Sequence, residues 1–151
     1  MATYDIVFNV AKGRERYYAD QVISGGTKRF VAIPIEASGI VSADTMKDYT
    51  TVAALLAGAS NEQTTMGRQT LTTVATSQDD TNNWVLIDAD NPVWTGTSGN
   101  SIAAVVIAYD ADNTSGTDSD LVPVVCLDMV AAPSGAITLN FNALGFCRVK
   151  D

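Results

Sequence analysis

The sequence predicts a mainly β chain, a single-domain antiparallel β-sandwich or barrel with one short helix at about residues 43–57. Three observations support this prediction. The polar residues are mostly Thr, Ser, Asn and Asp, which favour turns and the exposed face of a sheet. Short apolar stretches recur from residue 69 onward, and Gly, Pro, Asn or Asp separates them. The length of 151 residues suits one domain, which can bury a core without a disulfide or a metal.

The first forty residues have the least regular pattern. Residues 5–10, DIVFNV, alternate like a strand, whereas residues 13–23, GRERYYADQVI, are tolerated in a helix. Residues 28–37, KRFVAIPIEA, predict a strand. Because proline cannot donate a ladder hydrogen bond, Pro34 should lie at an edge or a bulge of the sheet.

Residues 42–60, SADTMKDYTTVAALLAGAS, carry the strongest helix signal. Ser42 or Asp44 can cap the N-terminus, and acidic residues in the first turns are favoured by the helix dipole. The apolar residues follow the spacing of one helix face, namely Met46, Tyr49, Val52 or Ala53, and Leu56. Gly58 stands where helices commonly end. The pattern predicts one helix over about residues 43–57.

The rest of the chain is predicted as short strands. They are RQTLTTVAT (68–76), WVLIDA (84–89), SIAAVVIAY (101–109), DLVPVVCLDM (120–129), AITLNFN (136–142) and GFCRV (145–149). Because residues 101–109 and 120–129 are the most apolar, we expect them to be antiparallel neighbours at the centre of the sandwich. We assign a β-sandwich domain to residues 41–151. It follows an N-terminal segment over residues 1–40, for which an extended, arm-like conformation is one option.

The loop between the two apolar strands, DADNTSGTDSD (110–120), is the best candidate for a metal site. Carboxylates suit calcium, and the first ligand positions of a helix-loop-helix calcium site would be Asp110, Asp112 and Thr114. Ser115 stands where such a loop requires glycine, and Leu121 stands where it requires glutamate. Tandem aspartates also bond to their own backbone in ordinary turns. We predict a solvated loop, with no metal and no cofactor.

The composition argues against catalysis. The chain has no histidine, which removes the commonest general base and every Ser–His or Cys–His nucleophile pair. Cys126 and Cys147 lie in apolar contexts, which favour buried free thiols over a disulfide. Trp84 and Trp94 adjoin apolar strand residues, so core or subunit-interface packing is favoured over sugar stacking. We predict that the protein is not an enzyme.

Charge is distributed unevenly along the chain. The net charge is −8, yet five of the nine basic residues lie in the first thirty positions: Lys12, Arg14, Arg16, Lys28 and Arg29. Residues 69–147 contain nine aspartates and no Lys or Arg, and such a surface repels phosphate backbones. The sequence shows neither a signal-peptide pattern nor an apolar stretch long enough to span a membrane. We expect synthesis in the cytoplasm, no nucleic-acid or membrane partner, and protein contacts through these five basic residues.

A family resemblance covers about residues 44–149. Its carriers are DTMKDYTTV and GRQTL upstream, then Asp88, Asp90, Trp94, residues 105–109, Asp128 and residues 135–146. In this order they resemble small virion proteins of tailed bacteriophages, in which a helix and linker precede strands of this type. The resemblance implies an accessory component of the capsid or tail, often oligomeric and without catalytic residues.

From this resemblance we expect a capsid decoration (cement) protein that binds and stabilises the outside of the phage head. Its partners would be the major capsid protein and further copies of itself, with a trimer as one symmetry, and its location would be the virion. The basic N-terminal residues would contact an acidic shell surface or a neighbouring copy. The alternative is a small tail, baseplate or fibre β-module used in assembly or adhesion.

Overall fold

Three antiparallel sheets form the fold in a computed structural model that describes residues 5–58 and 60–150. The elements in chain order are β1 (Ile6–Val7), α1 (Glu15–Ile23), β2 (Arg29–Glu36), α2 (Ala43–Met46), α3 (Val52–Ala57), β3 (Gln69–Thr70), β4 (Ala75–Asp79), β5 (Trp84–Asp88), β6 (Val93–Thr97), β7 (Ile102–Asp110), β8 (Val122–Ala131), β9 (Gly135–Thr138) and β10 (Cys147–Lys150). The sheets have the orders β1-β8-β7-β2-β3, β10-β5-β4 and β6-β9. The prediction of a mainly β, antiparallel fold is confirmed, and over the described residues no sheet closes into a barrel.

The central strand of the five-stranded sheet is β7, which pairs with β8 on one side and with β2 on the other. The two apolar strands are therefore antiparallel neighbours, as predicted, with Val106 opposite Cys126. Val130 near the end of β8 is exposed, but the side chains of β7 alternate between two hydrophobic clusters, so both faces of β7 are buried. That is uncommon for an antiparallel sheet, which usually exposes one face.

Different elements cover the two faces of the central sheet. One face carries Ile33 and Val106, which pack against Met46 of α2 and against Leu55 of α3. The opposite face packs against α1 and the two smaller sheets; its cluster contains Phe30, Val105, Ile107, Tyr18, Ile87, Trp94 and Phe146. The smaller sheets thus form the second layer of the sandwich, and the short helices form a third layer.

Residues 5–40 belong to this same body, which corrects the option of an extended arm. Phe8 is completely buried, and β2 lies between β7 and β3 because its six residues from Phe30 to Ile35 are apolar and buried on both faces. Pro34 fits because β3 pairs only with Val31 and Ala32. Beyond β3, on the side facing away from β7, the carbonyl of Pro34 accepts a hydrogen bond from the Gln63 amide at 2.9 Å. The carbonyl and the ring nitrogen of Pro34 face the side away from β7, so Pro34 removes no hydrogen bond from the β2–β7 ladder, although β2 is not an edge strand.

The predicted single helix over residues 43–57 is wrong in detail, because α2 and α3 are separate and α1 is the longest helix. The side chain of Ser42 accepts a hydrogen bond from the Thr45 amide, which caps α2. The side chain of Thr51 accepts a hydrogen bond from the Ala54 amide at 3.1 Å, which starts α3. A threonine that caps a new helix cannot also continue the preceding one, since its backbone is extended.

Both cysteines are free and buried, as predicted, and they belong to opposite hydrophobic clusters. Desolvation raises the pKa of the Cys126 thiol well above its ordinary value. Desolvation, with a smaller contribution from the Glu15 carboxylate, raises the pKa of Cys147 to about 12. The two thiols are therefore packing groups rather than nucleophiles.

Gly145 provides a test of how closely the second layer packs. Its φ is +71°, and a Cβ at this position would collide with the backbone carbonyl of Ile87. We expect Gly145→Ala to lower the free energy of unfolding by about 3 kcal/mol, because backbone strain and a steric clash add. Gly96 is the matched control, since its φ is +61° but a Cβ there would meet nothing within 4 Å. Gly96→Ala should lower the free energy of unfolding by only about 1 kcal/mol. If urea unfolding gave the same loss for both variants, the close packing of Gly145 against Ile87 would be contradicted.

Candidate functional site

The acidic loop, defined as residues 110–121, is fastened to the body at its first residue. Asp110 accepts a hydrogen bond from Arg29 Nε at 3.0 Å, and the Asp110 side chain is only 5% exposed. The second oxygen of the same carboxylate accepts the Asp112 amide at 3.0 Å. One backbone hydrogen bond, from the Asn113 amide to the Thr27 carbonyl at 2.9 Å, joins the loop to the turn before β2. Arg29, predicted as an interaction residue, therefore serves the internal structure.

The remaining aspartates of the acidic loop hold its turns. Asp112 accepts hydrogen bonds from the amide and hydroxyl of Thr114 and from the hydroxyl of Ser115. These bonds, above all the one from the Thr114 hydroxyl, lower the pKa of Asp112 to about 2. Asp120 accepts the amide and hydroxyl of Thr117, which lowers its pKa in the same way. The carboxylates that a cation would use are thus acceptors within the loop, and nowhere in residues 5–58 and 60–150 are three or more acidic, Cys or His side chains grouped as metal ligands.

Arg68 joins the acidic loop to the segment before β3. Its guanidinium donates to both carboxylate oxygens of Glu62, at 2.8 and 2.6 Å, and to Asp118 at 2.6 Å. The two acids hold the pKa of Arg68 above its usual value. Next to this contact, the carbonyls of Asp118 and Leu121 accept the first amides of α3. Sequence reasoning missed this residue, although Arg68 stands alone between Lys47 and Arg148 in the order of basic residues.

Of the five predicted interaction residues, three come together at the start of α1. Lys12, Arg14 and Arg16 are exposed, and beside them Tyr17 is 57% exposed. We call these four residues the basic ridge. Neither Lys12 nor Arg14 forms an ion pair with any described residue, and Arg16 makes one exposed contact of 3.6 Å with Asp20. Lys28 is half-buried at the entry to β2, away from α1 in the chain.

The two tryptophans do not form a sugar-stacking pair. Trp94 is 1% exposed, and its indole N–H donates to the Gly67 carbonyl at 2.8 Å, so it is a core residue as favoured by the sequence. Trp84 is half-buried, and the guanidinium of Arg148 lies over its ring at 4.6 Å from the centroid. The ring face that a sugar would need is therefore covered by a cation.

A groove runs between the β1–β8 edge of the central sheet and the connection from β9 to β10. It consists of two adjoining cavities of about 290 and 190 Å³, which share Asp5, Leu127, Asn142, Gly145 and Phe146. Its lining is mixed: Leu127 and Phe146 are apolar, whereas Asn142 and the exposed residues Asp5 and Asp128 are polar. The Asp5 carboxylate accepts the Asp128 amide at 3.0 Å. Arg148 lines the larger cavity but not the smaller one.

Comparisons with protein-family models, curated protein sequences and solved structures give no significant match to this chain. Among the described residues, no helix is both long and apolar enough to cross a membrane. The assignment of a function therefore rests on the surface chemistry of the chain itself and on its sequence resemblance.

Removal of the Arg68 charge should destabilise the fold. Arg68→Ala leaves Glu62, whose side chain is only 13% exposed, without its cation. We expect the free energy of unfolding in urea to fall by about 2 kcal/mol. Lys47→Ala is the control, because it removes an exposed pair with Asp44 and should leave stability almost unchanged. Similar losses for the two variants would contradict a clamp at Arg68.

Acid should weaken the acidic loop in a defined pH range. Because folding lowers the pKa of Asp112 from 3.8 to about 2, its stabilising contribution is complete above 3.8 and is lost as the pH falls toward 2. Carbon-detected NMR titration of the Asp112 carboxyl should give a midpoint near 2. Thr114→Val removes the donor hydroxyl and should move this midpoint up toward 3.8. A midpoint that Thr114→Val does not move would contradict the proposed cause.

Proposed function

We propose that the protein is a structural component of a tailed-bacteriophage virion, namely a capsid decoration protein that binds the outside of the head. The sequence resemblance over residues 44–149 supports the class. The partners in this proposal are the major capsid protein and further copies of the chain. The role requires contact surfaces and a stable body and involves no catalytic step.

The distribution of paired and unpaired charges is the observation that carries the proposal. The charged side chains of the acidic loop are used internally, since Arg29 and Arg68 bind Asp110 and Asp118. The exposed cations that remain at the basic ridge project from a body of net charge −8. Unpaired cations beside an exposed tyrosine suit contact with another protein surface, because Arg and Tyr are enriched in interfaces.

The folded body is also well ordered at its centre and at its acidic loop, which suits a protein that stabilises a shell. The central strand β7 is covered on both faces, and the acidic loop that follows it is fastened by side chains at Asp110 and Asp118. A binding partner would therefore meet a preformed surface, which keeps the entropy lost on binding small. In this proposal the basic ridge contacts an acidic surface, either of the shell or of a neighbouring copy on the head.

Quantitative mass spectrometry of separated heads and tails tests the location. We expect the protein in purified heads, at hundreds of copies per particle, and we expect heads that lack it to resist heat and chelators less well. Six or fewer copies, found with the tail, would instead favour the baseplate or fibre alternative. Absence from both fractions would refute a virion role.

Rebinding of purified protein to heads that lack it tests the basic ridge. The variant Lys12→Glu/Arg14→Glu/Arg16→Glu should bind heads at least about tenfold more weakly, because like charges would then face each other. The control Lys28→Glu/Lys47→Glu/Lys150→Glu makes the same change in net charge at other positions and should retain binding. Equal loss in both variants would show that net charge matters and that the ridge has no special role.

A further inference from the structure

The groove can receive an aromatic ring that has positively charged side chains beside it. Its floor includes Leu127 and Phe146 from both cavities, so a ring or an aliphatic stem placed there would leave water. Asp5 and Asp128 place two exposed carboxylates at one side. The only described basic residue that lines either cavity is Arg148, which lines the larger cavity and not the smaller one that Asp128 lines. The larger volume, about 290 Å³, lies at the lower limit of ligand pockets.

The basic ridge of the same chain has the complementary chemistry. Lys12, Arg14 and Arg16 supply three cations, and among the described residues their one ion pair is the exposed contact between Arg16 and Asp20. Glu15 lies between them in sequence but is 5% exposed and faces inward. Tyr17 offers an exposed ring on the same turn of α1, and it already contacts Tyr18 edge-on at 5.7 Å. A ring held in this way loses little freedom when it is inserted into a partner.

We propose that the groove of one copy receives the basic ridge of a second copy. In this contact Tyr17 lies against Leu127 and Phe146, and the ridge cations face Asp5 and Asp128. Charge complementarity within one chain identifies the occupant, because ridge and groove carry opposite charge and occur on every copy. The inference deepens the self-association in the proposed function and specifies the two surfaces that meet.

The basic ridge and the groove are different surfaces, and this difference determines which symmetries the assembly can have. A contact between ridge and groove is heterologous, so each copy uses its ridge toward one neighbour and its groove toward another. Such contacts form a ring when the rotation between copies closes and a filament when it does not. A two-fold dimer, which requires the same patch on both copies, does not use this contact.

Sedimentation velocity of the purified full chain tests the proposal through a charge swap. Arg14→Glu and Asp128→Lys should each weaken self-association by roughly tenfold or more, since each places like charges together. The double variant Arg14→Glu/Asp128→Lys restores opposite charges across the contact and should recover association. Tyr17→Ala should weaken association while retaining the charge pattern. Raised salt should weaken the wild-type assembly, because part of the attraction is electrostatic.

Two controls carry the same charge changes at other exposed or half-buried positions. Asp88→Lys matches Asp128→Lys, and Lys28→Glu matches Arg14→Glu; both controls should associate like the wild type. Circular dichroism of every variant establishes that it is folded. The inference is refuted if the wild type is monomeric at all concentrations, if the swap fails to restore association, or if the controls weaken it equally. A protein found in heads but monomeric in solution would refute this contact and leave the proposed location intact.

Discussion

The burial of both faces of β7 is the constraint on which the rest of the structure depends. An apolar strand such as β7 cannot expose either face to water without a large penalty, so the chain must supply two covers. It does so with elements that are individually weak: helices of four and six residues on one face, and sheets of two and three strands on the other. None of these covers is expected to be stable alone, and each is held by the surface that it buries.

The polar residues follow from the same constraint. Because the covers are short, many loops connect them, and their backbone groups need partners. Aspartates and threonines supply these partners at the turns, as Asp112 does for Thr114 and Asp79 does for Asn82. Arg29 and Arg68 then compensate the acids that are drawn into partly buried positions. The acidity of the body is thus largely structural, and the cations that are not required for this purpose remain at the ridge.

Features that depend on a local sequence pattern could be predicted from the sequence. Features that depend on a contact with a residue far away in the chain could not. Two apolar stretches identified β7 and β8. Because a polar loop connects them, they were predicted to be antiparallel neighbours. The interruption between α2 and α3 was not predicted, because it depends on Thr51 capping a new helix whose first amides bond to a loop nearly seventy residues away. Of the basic residues, charge alone could not separate Arg29 from Arg14. What separates them is the presence of Asp110 opposite Arg29, a consequence of the register between β2 and β7.

The short strand β1 affects whether strands of neighbouring copies can pair with the central sheet at high protein concentration. It covers only Val125 and Cys126 at the outer edge of β8, and beyond it the carboxylate of Asp5 takes the amide of Asp128. A side chain thereby occupies a position where an unrelated strand would otherwise add to the sheet, and its charge repels further acidic chains. Copies concentrated side by side can then touch through side chains without their backbones merging into fibrils. In this respect the aspartate acts as a terminator of sheet growth.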